Sequence, residues 1–395
     1  MAERGLAIGL MSGTSADGID AALVEIEERG DAPPGARLVA FRFEPFEADL
    51  RRGVFALFDP AARALDVAHM HVRLGRRFGA AARTLMAEAG VDAEAVRVIG
   101  SHGQTIAHWP DGLASSQDVP FTVQIGDAAS IAEVAGVPVV SDFRSHDLAL
   151  GGEGAPLVPY FDHALWHDGG ETRVLLNLGG IANLTVLWAD APAARTLAFD
   201  TGPGNMILDA AASLLSAARL ERDEDGAWAG RGTVREDLLA RWLGHPFLSR
   251  PAPKSTGRED FGEAYTRARL TEAEAAGARP EDAMATLTAL VADSVARAAR
   301  EAAGGPFALI AAGGGVHNRT LMARLAAGMP LLRPWQRSDA YGVPADAKEA
   351  MAFAYLAWQF CAGRPTNLPS VTGARAAVPL GTWTPTARRP APGLP

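Results

Sequence analysis

Short apolar runs alternate with longer helical ones along the whole chain. Residues 6–11, 19–26 and 38–43 carry apolar side chains at or near every second position, which predicts three strands in quick succession. Between 60 and 89 the spacing changes. Val67, Met70, Leu74, Phe78, Ala81 and Leu85 recur every three or four residues, so they line one face of a long predicted helix. A strand at 96–101, a helix near 126–135 and a short buried strand at 137–140 complete a first unit, read as a mixed sheet with crossover helices.

The same order begins again at 172. Residues 172–188, TRVLLNLGGIANLTVLW, read as strand, glycine turn, strand; 196–200 is a third strand, and helices start near 204, 234, 259 and 280. A buried strand then runs from 307 into the glycines at 313–315, and helices start again near 318 and 346. Two copies of a strand-turn-strand-strand-helix unit imply an internal duplication, with two lobes that face each other across a cleft. The predicted division is 1–140 for the N-terminal lobe and 141–381 for the C-terminal lobe, whose last segment is free to return to the first. Residues 382–395, rich in Pro and Arg, read as a loose tail.

Composition narrows the function classes. The chain has 395 residues, 48% hydrophobic and 21% charged, enough apolar material for two cores. A formal net charge of −9 argues against nucleic-acid and anionic-membrane partners, which reward clustered basic surface. The one cysteine, Cys361, has no partner for an intramolecular disulfide. The first ten residues make no signal peptide, and no apolar run approaches the roughly 20 residues of a membrane helix. The expectation is a cytoplasmic protein.

Four glycine turns carry the candidate chemistry: MSGTS (11–15), NLGGIAN (177–183), DTGPGN (200–205) and AAGGGVHN (311–318). Glycine lets backbone N–H groups approach a phosphate closely, and Ser or Thr adds donors. DTGPGN leads into a helix whose N-terminus favours an anion, and AAGGGVHN lets a flat ring lie against the backbone. Each turn taken alone reads as a plain hairpin or loop; four of them in a duplicated frame shift the reading toward nucleotide binding. The chain lacks the G-x-x-x-x-G-K-[ST] P-loop, a dinucleotide fingerprint, HExxH and paired cysteines. ATP held without a P-loop by duplicated lobes points to an α/β fold of the actin, hexokinase and Hsp70 type, built from two ribonuclease H-like lobes.

Ordered blocks make the reading specific. GLMSGTSADGID (9–20), GSHGQTI (100–106), VQIGD (123–127), SDFRSHDLALGGEGAPLVP (141–159), LNLGGIANLT, FDTGPGN, DEDGAWA (223–229), PKSTGRE (253–259), GGGVHN and KEAMAFAYLA (348–357) together resemble the anhydro-N-acetylmuramic acid kinases, from Gly5 to about Gly381. The resemblance implies an ATP-dependent enzyme of peptidoglycan recycling that opens the 1,6-anhydro bond while phosphorylating O6 of the sugar. It also implies Mg²⁺ and a homodimer.

The reaction needs a carboxylate to take the proton of the attacking water, and Asp200 matches that position. The competing reading of Asp200 is a helix N-cap or turn acid. On the sugar side the expected residues are Arg144, as a fork for the lactyl carboxylate, with Glu349, His102, Gln104 and Asp17. For ATP, Ser12, Gly13, Thr14 and Ser15 are placed at the γ- and β-phosphates and Gly179 and Gly180 at a second phosphate turn. Gly202, Gly204 and Asn205 fall near the ribose, and Gly313, Gly314 and Gly315 near adenine. Met11 stands where the wider superfamily carries an aspartate, so the protein ligands of the metal stay open, with Asp17 and Asp20 as candidates. Glu153 replaces the family's usual glutamine, which removes amide donors and adds a charge. Lys254 fits the family pattern, with no role assigned from sequence. Two other readings remain: a kinase of an ordinary amino sugar, and a non-catalytic actin-like ATP sensor.

Overall fold

A computed structural model describes residues 4–13, 15–112, 119–189 and 191–387. The chain divides into two compact units, Met1–Leu165 with Ala347–Pro395, and Trp166–Asp346. The division therefore falls at 165/166 instead of the expected 140/141, and the chain re-enters the first unit at 347.

The first unit is built on β1 (Arg4–Ser12), β2 (Gly18–Arg29), β3 (Ala32–Pro45), β4 (Val96–Trp109), β5 (Phe121–Ile125) and β6 (Val139–Ser141). Its helices are α1 (Ala48–Ala56), α2 (Ala64–Ala89), α3 (Ala128–Ala135), α4 (Ser145–Ala149) and α5 (Val158–Trp166). The second unit holds β7 (Arg173–Leu178), β8 (Ile181–Leu187), β9 (Leu197–Pro203), β10 (Ala308–Ala312) and β11 (Gln336–Arg337). Around them lie α6 (Asn205–Leu215), α7 (Glu236–Trp242), α8 (Arg258–Phe261), α9 (Glu263–Ala275), α10 (Pro280–Ala303) and α11 (Arg319–Ala327). After the return come α12 (Lys348–Cys361), α13 (Pro369–Thr372) and β12 (Thr382–Thr384).

Strand order makes the duplication visible. The first sheet runs β12-β6-β4-β1-β2-β3, with β5 paired to β4, and the second runs β11-β10-β7-β8-β9. In each, the second strand of the unit is antiparallel to its neighbours and the first and fourth are parallel. Each unit thus repeats the ribonuclease H-like order of the actin/hexokinase fold. Residues 382–384, expected in a loose tail, instead form an antiparallel edge strand on β6, Trp383 opposite Val140. The period-two signal was too short there to see.

Two cores hold the units together. α2 buries Met70, Leu74, Phe78, Ala81, Ala82 and Leu85 against Ile8, Leu10, Leu23 and Ile99 of the first sheet. In the second unit α10 is buried along most of its length, with Leu287, Leu290, Val291 and Val295 among its contributions to a core shared with Val174, Leu176 and Leu184. The other face of the first sheet takes α12 at very short range. A Cβ on Gly9 would overlap the Ala350 carbonyl, and one on Gly100 the Phe353 carbonyl. Two glycines, one on each of the adjacent parallel strands, are therefore required where the helix crosses them.

Candidate functional site

In the first unit the end of β1 meets β4, Ser12 opposite Gln104 in parallel register. The Ser12 hydroxyl donates to Gln104 Oε1 at 2.7 Å, and Gln104 Nε2 donates to the carbonyls of Gly13 and Thr105. Gln104 is fully buried. Its expected place at the sugar is therefore corrected: both amide hydrogens are engaged within the protein, and the side chain braces Ser12 and Gly13. The Ser12 hydroxyl is likewise committed to this brace. Ser15 and Asp17 are exposed, with Ser15 Oγ donating to Asp17 Oδ1 at 3.0 Å. Thr14 lies outside the described residues.

Arg144 precedes α4, and its guanidinium is fixed at two points. Nε donates to His102 Nε2 at 3.0 Å and Nη1 donates to the Gly154 carbonyl at 2.8 Å. Since His102 Nε2 accepts, its ring proton sits on Nδ1, which donates to the Gly103 carbonyl at 3.0 Å. Burial, then the Arg144 charge, push the His102 pKa well below its ordinary 6.5, so the ring stays neutral. Phe353 of α12 packs on that ring at 4.7 Å. Arg144 itself is lowered to about 10 by desolvation, against the favourable charges of Glu349 and Asp147. A guanidinium pinned through Nε can no longer grip a carboxylate side-on; its end-on face, Nη1 with Nη2, remains.

Asp147 is a residue that sequence reasoning missed. It is wholly buried and accepts from Gly154 N, Asn367 Nδ2 and Thr372 Oγ1, each at 2.8 Å. It thereby ties the loop that offers Gly154's carbonyl to Arg144. On the sequence it reads as an ordinary acid of a short helix.

Glu349 lies in the first turn of α12 and keeps a solvent-exposed face. Protein atoms crowd it nonetheless, and this desolvation raises its carboxyl pKa against the pull of Lys348 and Arg144. Beside it, Lys348 is buried against Asp162, Nζ to Oδ1 2.9 Å, which fixes the start of α12. Arg144, His102 and Glu349 thus share one neighbourhood in this unit.

The second unit gathers the other glycine turns. Gly204 N and Met206 N donate to the Gly180 carbonyl and Asn205 N to that of Gly179, while Asn205 Nδ2 donates to the Leu178 carbonyl. The opening N–H groups of α6, expected to favour an anion, are therefore taken by main-chain carbonyls. A Cβ on Gly313 or Gly315 would overlap Leu178, so these two glycines are required by packing, whereas Gly314 is exposed. Thr320 Oγ1 donates to the Gly226 carbonyl at 2.7 Å, bringing the 223–229 block against the 313–318 turn.

Asp200 lies within β9, the edge strand, opposite Asn183 at a bulge in the β8 pairing. It caps no helix: α6 begins after Gly204. Segment 253–256 covers the open edge, with Asp200 N donating to the Lys254 carbonyl at 2.9 Å and Thr256 N donating to Asp200 Oδ2 at 3.0 Å. The Lys254 role now has a physical account. Its Nζ donates to the carbonyls of Phe247 and Leu248 and lies 4.7 Å from the Phe247 ring centre, anchoring the segment that positions Asp200. Gly202, at φ +138°, runs close under Leu248 on the same strand.

Among the described residues no group of three or more His, Cys, Asp or Glu is placed to hold a metal. Among the described residues no helix is long and apolar enough to cross a membrane. In the second unit a carboxylate is held by a main-chain donor on the strand that leads into the 200–205 glycine turn; in the first unit a pinned guanidinium keeps an end-on face that suits a carboxylate.

Several relatives share one name. A Salinibacter ruber protein named anhydro-N-acetylmuramic acid kinase is 46% identical over 386 residues, 96% of each chain. Proteins of the same name from Caldanaerobacter subterraneus subsp. tengcongensis and Gloeobacter violaceus are 40% and 42% identical over 96% and 95% of this chain, and 96% and 97% of their own. Among solved structures, xylulose kinase from Rhodospirillum rubrum is a distant likeness: 14% identity, TM-score 0.43, 90% of each chain covered. The sequence profile for anhydro-N-acetylmuramic acid kinase matches residues 5–386, and with relatives this close across nearly the whole chain, the protein belongs to that family.

Proposed function

We infer that the protein is an ATP-dependent kinase of peptidoglycan recycling. It opens 1,6-anhydro-N-acetylmuramic acid with water and phosphorylates O6, giving N-acetylmuramic acid 6-phosphate and ADP. The observation that carries the catalytic assignment is Asp200, held at Oδ2 by the Thr256 N–H on a covered strand edge. Asp200 is the base. It takes a proton from the water that attacks C1, while O6 leaves C1 and bonds to the γ-phosphorus of ATP. Such a base contributes on the order of 10²- to 10⁴-fold.

Separate residues carry recognition of the sugar and of the nucleotide. Arg144 grips the lactyl carboxylate end-on, and neutral His102 fixes the guanidinium's plane. Glu349 accepts sugar hydroxyls. Main-chain N–H groups of residues 12–15 and of Gly179 and Gly180 hold phosphates; Gly202, Gly204 and Asn205 shape the ribose end, and exposed Gly314 admits the base. Asp17, the exposed carboxylate beside the turn, would hold Mg²⁺ together with phosphate oxygens of the nucleotide, since such sites use one or two carboxylates plus phosphate oxygens. When bound, the metal supplies charge neutralisation to the transferring phosphoryl group. We further propose a homodimer, as the resemblance implies, and a cytoplasmic location.

The test is mass spectrometry of the product formed from Mg-ATP and the anhydro sugar in ¹⁸O-water. One ¹⁸O at C1 of a 6-phosphorylated sugar, absent with Asp200→Asn, is the expected result. Absence of any phosphorylated product from the wild type would overturn the assignment.

A further inference from the structure

Segment 253–256, which covers the β9 edge, is held at both ends. Near its start the Lys254 ammonium donates to the Phe247 and Leu248 carbonyls, and at its end the Thr256 hydroxyl donates to Asp260 Oδ2 at 2.7 Å. The same threonine donates its main-chain N–H to Asp200 Oδ2 at 3.0 Å. One residue thus bonds to two carboxylates, Asp200 through its backbone and Asp260 through its side chain. All three are half-buried.

Asp260 is fixed by its neighbour. Phe261 has no exposed surface; its ring packs edge-on against Phe247 and Tyr265, with centres 5.7 and 5.2 Å apart, and lies 4.8 Å from His245. Phe261 N donates to the Gly257 carbonyl at 3.1 Å, which closes the turn between Thr256 and α8. The Asp260 carboxylate therefore sits beside an immobile ring, and a hydroxyl bonded to a carboxylate is among the stronger hydrogen bonds. Burial lowers the His245 pKa, the Asp260 charge opposes this, and Arg269 and Arg250 add to it. His245 is thus neutral at pH 7. Arg258 and Glu259 adjoin Asp260 on α8. A plain capping contact would serve α8 alone, whereas here the donor's own N–H holds the carboxylate assigned to the attacking water.

We propose that Asp260 is a positioning residue for Asp200: it orients Thr256, whose N–H holds the Asp200 carboxylate, and its negative charge makes that carboxylate a stronger base. The role rests on Asp200 being the base. Like charges in one neighbourhood disfavour ionisation, so a carboxylate near another binds a proton more readily. A stronger base takes the proton of water more readily.

The first arm of the test needs no turnover. Protein labelled with ¹³C at its aspartate carboxyls is titrated by NMR, wild type beside Asp260→Asn, and the Asp200 signal is identified by its loss in Asp200→Asn. Asparagine keeps an oxygen that accepts from Thr256 and removes the charge. The Asp200 midpoint is expected to fall by about 0.5–1 pH unit. An unchanged or raised midpoint overturns the proposal. So does loss of the difference in a His245→Asn background, which would trace the effect to the imidazole.

The second arm reads turnover of the anhydro sugar. Thr256→Val keeps the shape and the N–H but has no hydroxyl, so kcat should fall about two- to tenfold, in the range of one lost hydrogen bond, with KM for sugar and ATP unchanged. Thr256→Ser should restore it. In Asp260→Asn the acid limb of the kcat profile should move to lower pH by the same interval as the NMR midpoint. Thermal unfolding checks that each variant folds. Wild-type kcat in Thr256→Val, or a loss that Thr256→Ser does not restore, overturns the proposal. An inactive wild type, or an active Asp200→Asn, removes the base assignment and the role with it, while the first arm still reports whether Asp260 acts on Asp200. The two failures are thereby told apart.

Discussion

Arg144 and Asp200 are both held rigidly, but by different parts of the chain. Arg144 depends on another side chain, His102, and on a loop carbonyl that the Asp147 carboxylate keeps in place. Asp200 depends on main chain, its N–H and its carboxylate both bonded to the backbone of 254–256. Side chains that hold side chains respond to protonation and to single substitutions. Main-chain contacts respond chiefly to what anchors the segment.

The largest expected effect is at the main-chain site. Asp200→Asn keeps the shape and the Thr256 contact but cannot take a proton, so kcat should fall by roughly 10²- to 10⁴-fold with little change in KM for ATP. A loss below tenfold in steady-state assays would remove Asp200 from the base role. Next is Arg144→Lys, which keeps the charge but loses the planar fork and its His102 contact. Charge-assisted hydrogen bonds are worth about 1.5–3 kcal/mol, so KM for the sugar should rise roughly 10- to 150-fold with a smaller change in kcat. Equal losses in both parameters would contradict a grip made in the ground state.

Lys254→Met sharpens the comparison further. It preserves the aliphatic stem but releases segment 253–256, and kcat should drop by about two- to tenfold, in the range of one or two lost hydrogen bonds. Unchanged kcat would mean the segment is anchored without it. The smallest effect is in pH. His102 is neutral in the folded state, with its pKa pushed far below 6.5, and His108 is lowered to about 4 by burial and then by Arg144. Between 6.5 and those values the unfolded chain binds protons that the native one does not. Stability therefore declines as pH falls through that window. Urea midpoints at pH 7 and 5.5 should differ in this direction, and by less in His102→Asn.

Much of this was legible in the sequence because it is repetitive or local. The period-two runs and the helical face from Val67 to Leu85 fall where α2 and the first strands form. The glycine turns of the second unit come together as neighbours in one cluster. What the sequence concealed is long-range commitment. Gln104 reads as a substrate ligand until Ser12 is seen to occupy it, and the α6 N-terminus reads as an anion site until the Gly179 and Gly180 carbonyls fill it. The boundary was misplaced because a helix at 348–361 belongs to strands at 4–12 and 96–109, and periodicity carries no information about a partner some 250 to 340 positions away.

That helix also sets an order of events during synthesis. Residues 166–346 are continuous and leave the ribosome before α12 does, so the second unit has all its strands while the first still lacks the element seated on Gly9 and Gly100. Until those last residues emerge, one face of the first sheet stays open to solvent and to other nascent chains. Such a nascent chain suits a chaperone that covers exposed sheet, and a ribosome stalled before residue 348 would release a protein with one finished unit and one unfinished.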